Sequence, residues 1–351
     1  MKILIIGAGL LGASLAFRLA RAGGEVTVIE AARPASAASG RSFGWINASF
    51  YADAAHHRLR AEAMRAHHRL QREMALPAPR WQGALWWEDQ GQGFDQMQAD
   101  LAALGYPADP VTAEQIAALE PALAHPPARA LHFVTEGATD ATALTHALLA
   151  ASGARVLSGL AAKGLIQTGG RVSGVASAIG PLSADHTILA AGVATPQLLH
   201  SIGLDLPMLQ RPGLILRSDP VAFRIHHILV TPEQEIRQTA DGSLIAPCAA
   251  HHQSDPSESI AEGAAQTTLA NLSDLFGSKI SLAQTLIGHR PVPGDTLPVL
   301  GQACDGLSLA VMHSGVTLAA FAAEALADQI LGQGADALWQ PYAPARLLRA
   351  L

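Results

Sequence analysis

Cysteine is almost missing from this chain. Cys248 and Cys304 are the only two, far apart and outside any CxxC pair. That excludes a disulfide framework and a thiolate zinc site, and it suits a reducing, cytoplasmic setting. A basic excess is missing too: Lys+Arg total 23 against Asp+Glu 29, a formal net charge of −6. Without surplus cations to neutralise phosphates, no nucleic-acid partner is expected. Arg58, Arg60, Arg65, Arg69 and Arg72 do gather on one expected helix, but Glu62 and Glu73 interrupt them, and the reading is a solvated face. No apolar run reaches the length of a membrane span. The N-terminal run resembles a signal peptide only until Arg18, Arg21, Glu25, Glu30 and Arg33, which precede the small residues Ala35-Ser36-Ala37.

Metal-binding patterns are lacking as well. The histidine pairs His56-His57, His67-His68, His226-His227 and His251-His252 form no HExxH or Cys/His ladder. Along one helix His57 and His68 share a stripe but lie about 16 Å apart, beyond the reach of one ion. No metal is expected. Charged residues are 15% of the chain and hydrophobic ones 49%. That composition, at 351 residues, describes an ordered protein with enough apolar mass for two cores.

What is present begins at once. Lys2 to Ile6 is a short apolar run, followed by Gly7-Ala8-Gly9-Leu10-Leu11-Gly12, a helical stretch to Ala22, the breaker Gly23-Gly24, and Glu25 to Glu30. This is strand, glycine turn, helix, strand: the βαβ context that a dinucleotide fingerprint requires. Gly7 makes the tight turn, Gly9 admits a pyrophosphate to the backbone, and Gly12 allows close helix–strand packing. The pyrophosphate then meets the unpaired N–H groups at the helix start, with Leu10 and Leu11 in the first turn. Glu30 ends the second strand, where its carboxylate can accept from both ribose hydroxyls and repel a 2′-phosphate.

The remaining elements follow from capping and periodicity. A hydroxyl-rich loop carries Ser39, Arg41 and Ser42 after Glu30. Ala54 to Met74 is a long helix, Arg80 to Glu88 a strand, and Asp95 to Leu104 a short helix. Thr112-Ala113-Glu114-Gln115 is a capping box, Ala130 to Thr135 a strand, and Asp140 the N-cap of a helix ending at Gly153. Arg155 to Leu157, Gly164 to Thr168 and Arg171 to Ala178 read as a β-meander. His186 to Gly192 is an apolar strand ending in glycine. Leu206 to Ala249 reads as an antiparallel sheet with a turn at Asp241-Gly242, and Ser257 to Phe276 as a helix. A strand from Leu307 to Met312 leads through His313-Ser314-Gly315-Val316-Thr317 into a last helix. The expected fold is α/β: a Rossmann-like dinucleotide-binding domain (1–78, 136–208 and 286–351) with an interleaved α+β substrate domain (79–135 and 209–285) built on an antiparallel sheet.

In their order, these motifs resemble the FAD-dependent oxidoreductases of the D-amino-acid oxidase superfamily, which includes glycine oxidase, sarcosine oxidase and D-amino-acid dehydrogenase. The resemblance rests on the glycine turn with Glu30, Ser39-Gly40-Arg41-Ser42, Leu189-Ala190-Ala191-Gly192, the Arg290-Pro291 segment with Asp295 and Leu297 to Gly301, and His313-Ser314-Gly315. It implies FAD rather than NAD. Ser39, Arg41 and Ser42 would run past the pyrophosphate, Gly192 would approach the cofactor a second time, and Ser314, Gly315, Val316 and Thr317 would form the turn at the flavin ring. Arg290 would bind a substrate carboxylate. A permanently charged fork matches a carboxylate bidentately, although a salt bridge from Arg290 to Asp295 is the plain alternative. Arg237, on the substrate sheet, is a second carboxylate candidate, and His313 reads either as a flavin neighbour or as a satisfied packing residue. Gly288 to Gly294, just ahead of Asp295, contains no cysteine of the kind that holds FAD covalently in some members, so FAD is expected to be non-covalent.

The implied reaction is oxidation of the C–N bond of an amino acid or N-methylated amino acid. Hydride passes to flavin N5, and the imino acid hydrolyses. A small-molecule amino acid or amine is the expected partner, and a homo-oligomer is compatible with the sequence. Two rivals stand beside this reading: an NAD-dependent dehydrogenase, and a flavin-binding subunit or sensor that does not turn over.

Overall fold

The structure, a computed structural model, describes residues 1–74, 77–248 and 258–351. The expectations touching Ala249, His251-His252 and Ser257 lie outside the described residues. Lys2–Ile6 and Glu25–Glu30 pair in parallel with Leu10–Arg21 between them. His186–Leu189 joins the other side of the first strand, Leu307–Val311 follows in parallel, and Val299–Cys304 closes that edge antiparallel. Alternation in the first strand sends Ile3 and Ile5 to one face and Leu4 and Ile6 to the other. Ile3 and Ile5 pack under Leu10–Arg21, Ala54–Glu73, Ala141–Ser152 and Gly315–Ile330. Leu4 and Ile6 pack with Leu165, Val172 and Val175 of a small three-stranded sheet.

That small sheet corrects the expected meander. Its strands are Gly164–Thr168, Arg171–Ser177 and Gly180–Ser183. Arg155–Ser158 instead pairs in parallel with Glu25–Glu30 at the far edge of the central sheet. The helix Ala141–Ser152 lies against Leu10–Arg21 and delivers the chain to that edge as a crossover. A run of four residues carries no signal of which neighbour it will pair with.

Among the described residues, a second sheet has eight strands. Met208–Pro220 pairs antiparallel with Leu282–Pro293 from Met208↔Pro293 to Ser218↔Leu282. The sheet continues through Ser243–Pro247, Glu235–Gln238 and Ile228–Val230 to Ala84–Trp86, Arg129–Phe133 and Asp109–Thr112. One junction, Ile228–Val230 with Ala84–Trp86, is parallel, so the sheet is mixed rather than wholly antiparallel. Leu214, Leu216 and Leu229 on one face pack against Ala265, Leu269 and Leu272 of the helix Glu258–Leu275. Trp86, Phe133 and Val230 on the other pack with Phe94, Leu101, Ile46 and Met64.

Other ends fall close to expectation. Asp53 Oδ1 accepts from the His56 N–H at 2.8 Å and starts the long helix. The capping box at Thr112 and Gln115 is formed, Asp140 caps Ala141–Ser152, and Gly153 takes the left-handed conformation. The strand expected over Arg80 to Glu88 shrinks to Ala84–Trp86, because Gly83 turns the chain at a φ of +74°. The short helix starts earlier than expected, at Gln92.

Candidate active site

At the C-terminal edge of the central sheet, the glycine turn is held by backbone crowding. Gly7 has a φ of +105°, and a Cβ there would sit 2.4 Å from the Ala190 carbonyl oxygen. A Cβ on Gly12 would sit 2.0 Å from the Gly7 oxygen. So Gly7 and Gly12 serve packing, while Gly9 lines the cavity, where a Cβ would sit 3.1 Å from Ser39 Oγ. Ser39 Oγ accepts from the Leu10 N–H at 2.9 Å, and Ser42 Oγ accepts from the Gly44 N–H at 3.1 Å. The Glu30 carboxylate accepts from the Ala8 and Ala32 N–H groups, each at 2.9 Å. Two of its roughly four lone-pair sites are thereby used, leaving capacity for ribose hydroxyls.

A cavity of about 1350 Å³ runs from this turn across the edge of both sheets. Gly7, Gly9, Leu10, Leu11, Glu30, Ser39, Arg41, Ser42, Gly192, Arg290, His313, Ser314, Gly315, Val316 and Thr317 all line it. Its volume exceeds the usual 300–1,000 Å³ of a drug-sized site, as an extended dinucleotide with a substrate beside it would need. Gly192 turns away from the sheet at a φ of +57°. Arg41 Nη1 donates to the Ile287 carbonyl at 2.9 Å, tying the hydroxyl-rich loop to the strand that carries Arg290. These donors, glycines and volume fit FAD.

Arg290 lies on Leu282–Pro293, half-buried in the wall. Its Nε donates to the Arg211 carbonyl at 2.9 Å and its Nη2 to the Pro212 carbonyl at 3.3 Å, which fixes the guanidinium plane. His313 Nε2 is 3.4 Å from Nη1. Burial, then Arg211, lowers its pKa from the usual arginine value, while Glu235 opposes them. The alternative salt bridge is not formed: Asp295 pairs with Arg346 at 2.5 Å.

Arg237 lies on the second sheet, in Glu235–Gln238, as expected, but outside the cavity wall. It is buried, its Nε donates to the Phe43 carbonyl, and its guanidinium carbon lies 5.7 Å from the Phe43 ring centre. Phe43 lines the cavity; Arg237 does not. Glu235, on the same strand face, does, and the sequence reading passed over it.

Arg60 is the largest correction. Arg58, Arg65 and Arg72 are exposed on the long helix, and Arg69 is partly so. Arg60, however, is 4% exposed and lines the cavity. Its Nη1 donates to Ser314 Oγ at 2.7 Å, and its Nη2 donates to Asn47 Oδ1. The signal was present: Arg60, Ala63 and His67 share one stripe with the helix's buried residues. From that stripe His67 Nε2 donates to the Val316 carbonyl at 2.9 Å, and the carbonyl acceptor requires the proton on that nitrogen. Thr317 Oγ1 donates to the Trp45 carbonyl at 3.2 Å, so its hydroxyl ties the closing helix to the loop.

Comparison with known proteins agrees with this geometry. The bifunctional protein ThiO/ThiG of Nostoc sp. is 27% identical over 96% of this chain and 53% of its own length. The glycine oxidase of Pseudomonas aeruginosa is 26% identical over 52% of each chain. The chain therefore spans about half the length of the curated relatives it matches. The L-amino acid deaminase of Proteus vulgaris has the same fold, with a TM-score of 0.87 over 98% of this chain and 93% of that one, at 18% identity. Residues 2–329 match the family model described as FAD dependent oxidoreductase, DAO, which sets the NAD reading aside, and the chain belongs to that family.

Proposed function

We propose that this protein oxidises the C–N bond of an amino acid or N-methylated amino acid, releasing an imino acid that water hydrolyses. The observation that carries this reading is Arg290: a permanently charged fork in the wall of the FAD-sized cavity, its plane fixed by two strand carbonyls. The names of the relatives, glycine oxidase and L-amino acid deaminase, support the same substrate class.

FAD, when bound, supplies the two-electron acceptor. Gly9, Ser39 and the first turn at Leu10 and Leu11 would hold its pyrophosphate, and Glu30 its ribose. Arg290 grips the α-carboxylate and so fixes the direction of the α C–H bond. Positioning of that kind supplies much of a barrier reduction. No protein base is required if the amine enters neutral. The segments 1–78, 136–208 and 286–351 serve the cofactor, and 79–135 and 209–285 the substrate, with Leu282–Pro293 crossing from one to the other. A cytoplasmic location goes with the two free thiols.

Anaerobic mixing with a panel of amino acids tests the reading: at least one should bleach the flavin. In Arg290→Leu, loss of a charge-assisted hydrogen-bond pair worth about 1.5–3 kcal/mol should raise KM roughly 10- to 100-fold with FAD retained. An unchanged KM removes Arg290 from the role. A flavin that no amino acid bleaches would favour the subunit or sensor.

A further inference from the structure

We infer that Arg60 sets the charge state of the reduced cofactor, its buried guanidinium acting with the start of the helix Gly315–Ile330 to hold a negative charge in the cavity between them. The inference rests on FAD filling this cavity, and not on the identity of the substrate. Three observations carry it. Arg60 lines the cavity and is almost wholly buried. The two side chains that its Nη atoms reach, Ser314 and Asn47, are neutral, and none of the ion pairs among the described residues includes it. Its Nε is a buried donor with no partner. A buried cation without a contacting carboxylate is costly unless something anionic completes it.

The second source of positive potential is the closing helix. Ser314 is its N-cap, and no side chain caps its first turn. Arg60 holds Ser314 Oγ, so the guanidinium and the first N–H groups face the same space. With the pyrophosphate at the glycine turn and the ribose at Glu30, the flavin ring would be the part of FAD left to occupy the cavity beside Arg60 and Ser314. These two groups would then let a reduced ring take up two electrons with one proton, the second proton staying in solvent.

Tyr51, Glu235, Arg290 and His313 share the cavity with Arg60. Glu136 and Tyr106 act on it from across the loop, and His56 and His57 lie along its own helix. Burial lowers the Arg60 pKa to about 10, which leaves it charged at neutral pH, and lowers that of His56 to about 4. Burial raises Glu136 to about 7, against hydrogen bonds from Ser49 and Tyr106.

The test uses the FAD-loaded protein, dithionite and sulfite, with no amino acid present. In the wild type, just below the pH at which free FAD changes from a two-proton to a one-proton slope, the two-electron midpoint should still fall by about 30 mV per pH unit, the value for one proton. A fall of twice that would overturn the inference without any variant. In Arg60→Met the reduced form should lose at least tenfold in stability relative to the oxidised form, about 30 mV for a two-electron couple. Sulfite, which adds to the oxidised ring and leaves it anionic, should bind at least tenfold more weakly. Arg60→Lys keeps the charge and should stay within threefold of wild type in both. Equal loss in the Met and Lys variants, or none in Met, assigns Arg60 to scaffolding alone.

Discussion

Gly7 carries two constraints at one position, and each argues for the same outcome. Its φ of +105° is strained for any L side chain, and the Ala190 oxygen occupies the place of a Cβ. Gly7→Ala must therefore move the Ala190-Ala191-Gly192 edge that lines the cavity. We expect purified Gly7→Ala to lose FAD and melt lower than the wild type; full flavin occupancy would contradict this. Gly7, Gly9, Gly12 and Glu30 were legible because their signal is local: a turn between two apolar runs and an acid at a fixed spacing. Arg60 and Glu235 were not. Each is a charged residue in a sequence with charges on every side, and only the packing of another element decides which of them faces inward.

At the scale of the element, the long helix Ala54–Glu73 does the positioning. It presents Arg60 to Ser314, and His67 to the carbonyls of Val316 and Thr317 at 2.9 and 3.1 Å. Arg69 and Arg18 add ion pairs to Glu324 of the closing helix at 2.6 and 2.8 Å. Its own start depends on Asp53. Asp53→Ala should cost about 1 kcal/mol in chemical denaturation, the usual value of an N-cap; no measurable loss would mean that tertiary packing alone fixes the first turn. Most element ends were legible where a cap residue marked them, as at Asp140 and Thr112. The strand Arg155–Ser158 was misassigned because pairing partners are chosen by topology.

For the whole molecule, buried histidines set the acid limb of stability. Burial lowers His56, His67 and His186 to about 4, against 6.5 for the free side chain. Their folded pKa values lie below the unfolded one, so the unfolded chain binds more protons between those values. The stability they contribute is complete above pH 6.5 and is lost as pH falls through about 4. For the fully buried His67 this is on the order of 3 kcal/mol. Glu136 works in the opposite sense: its raised pKa favours the fold below 4.5, and that contribution fades as pH rises through about 7. Three groups against one should leave stability falling toward acid. Urea midpoints across this range should show it, with a shallower slope in His67→Gln; a flat profile would mean that these imidazoles titrate freely in the fold. The two-sheet plan and the cofactor class were readable from the order of motifs. The shared wall between the sheets was not, because Leu282–Pro293 pairs with one sheet while its end reaches the other.

That strand has a consequence for selectivity. In the role proposed for Arg290, a guanidinium riding on a girder braced along its whole length would not follow its guest; the guest would have to conform to it. The distance from acid group to breaking bond becomes a ruler with one mark. A β-amino acid, one carbon longer between carboxylate and amine, would present the wrong atom at that mark, whatever its side chain.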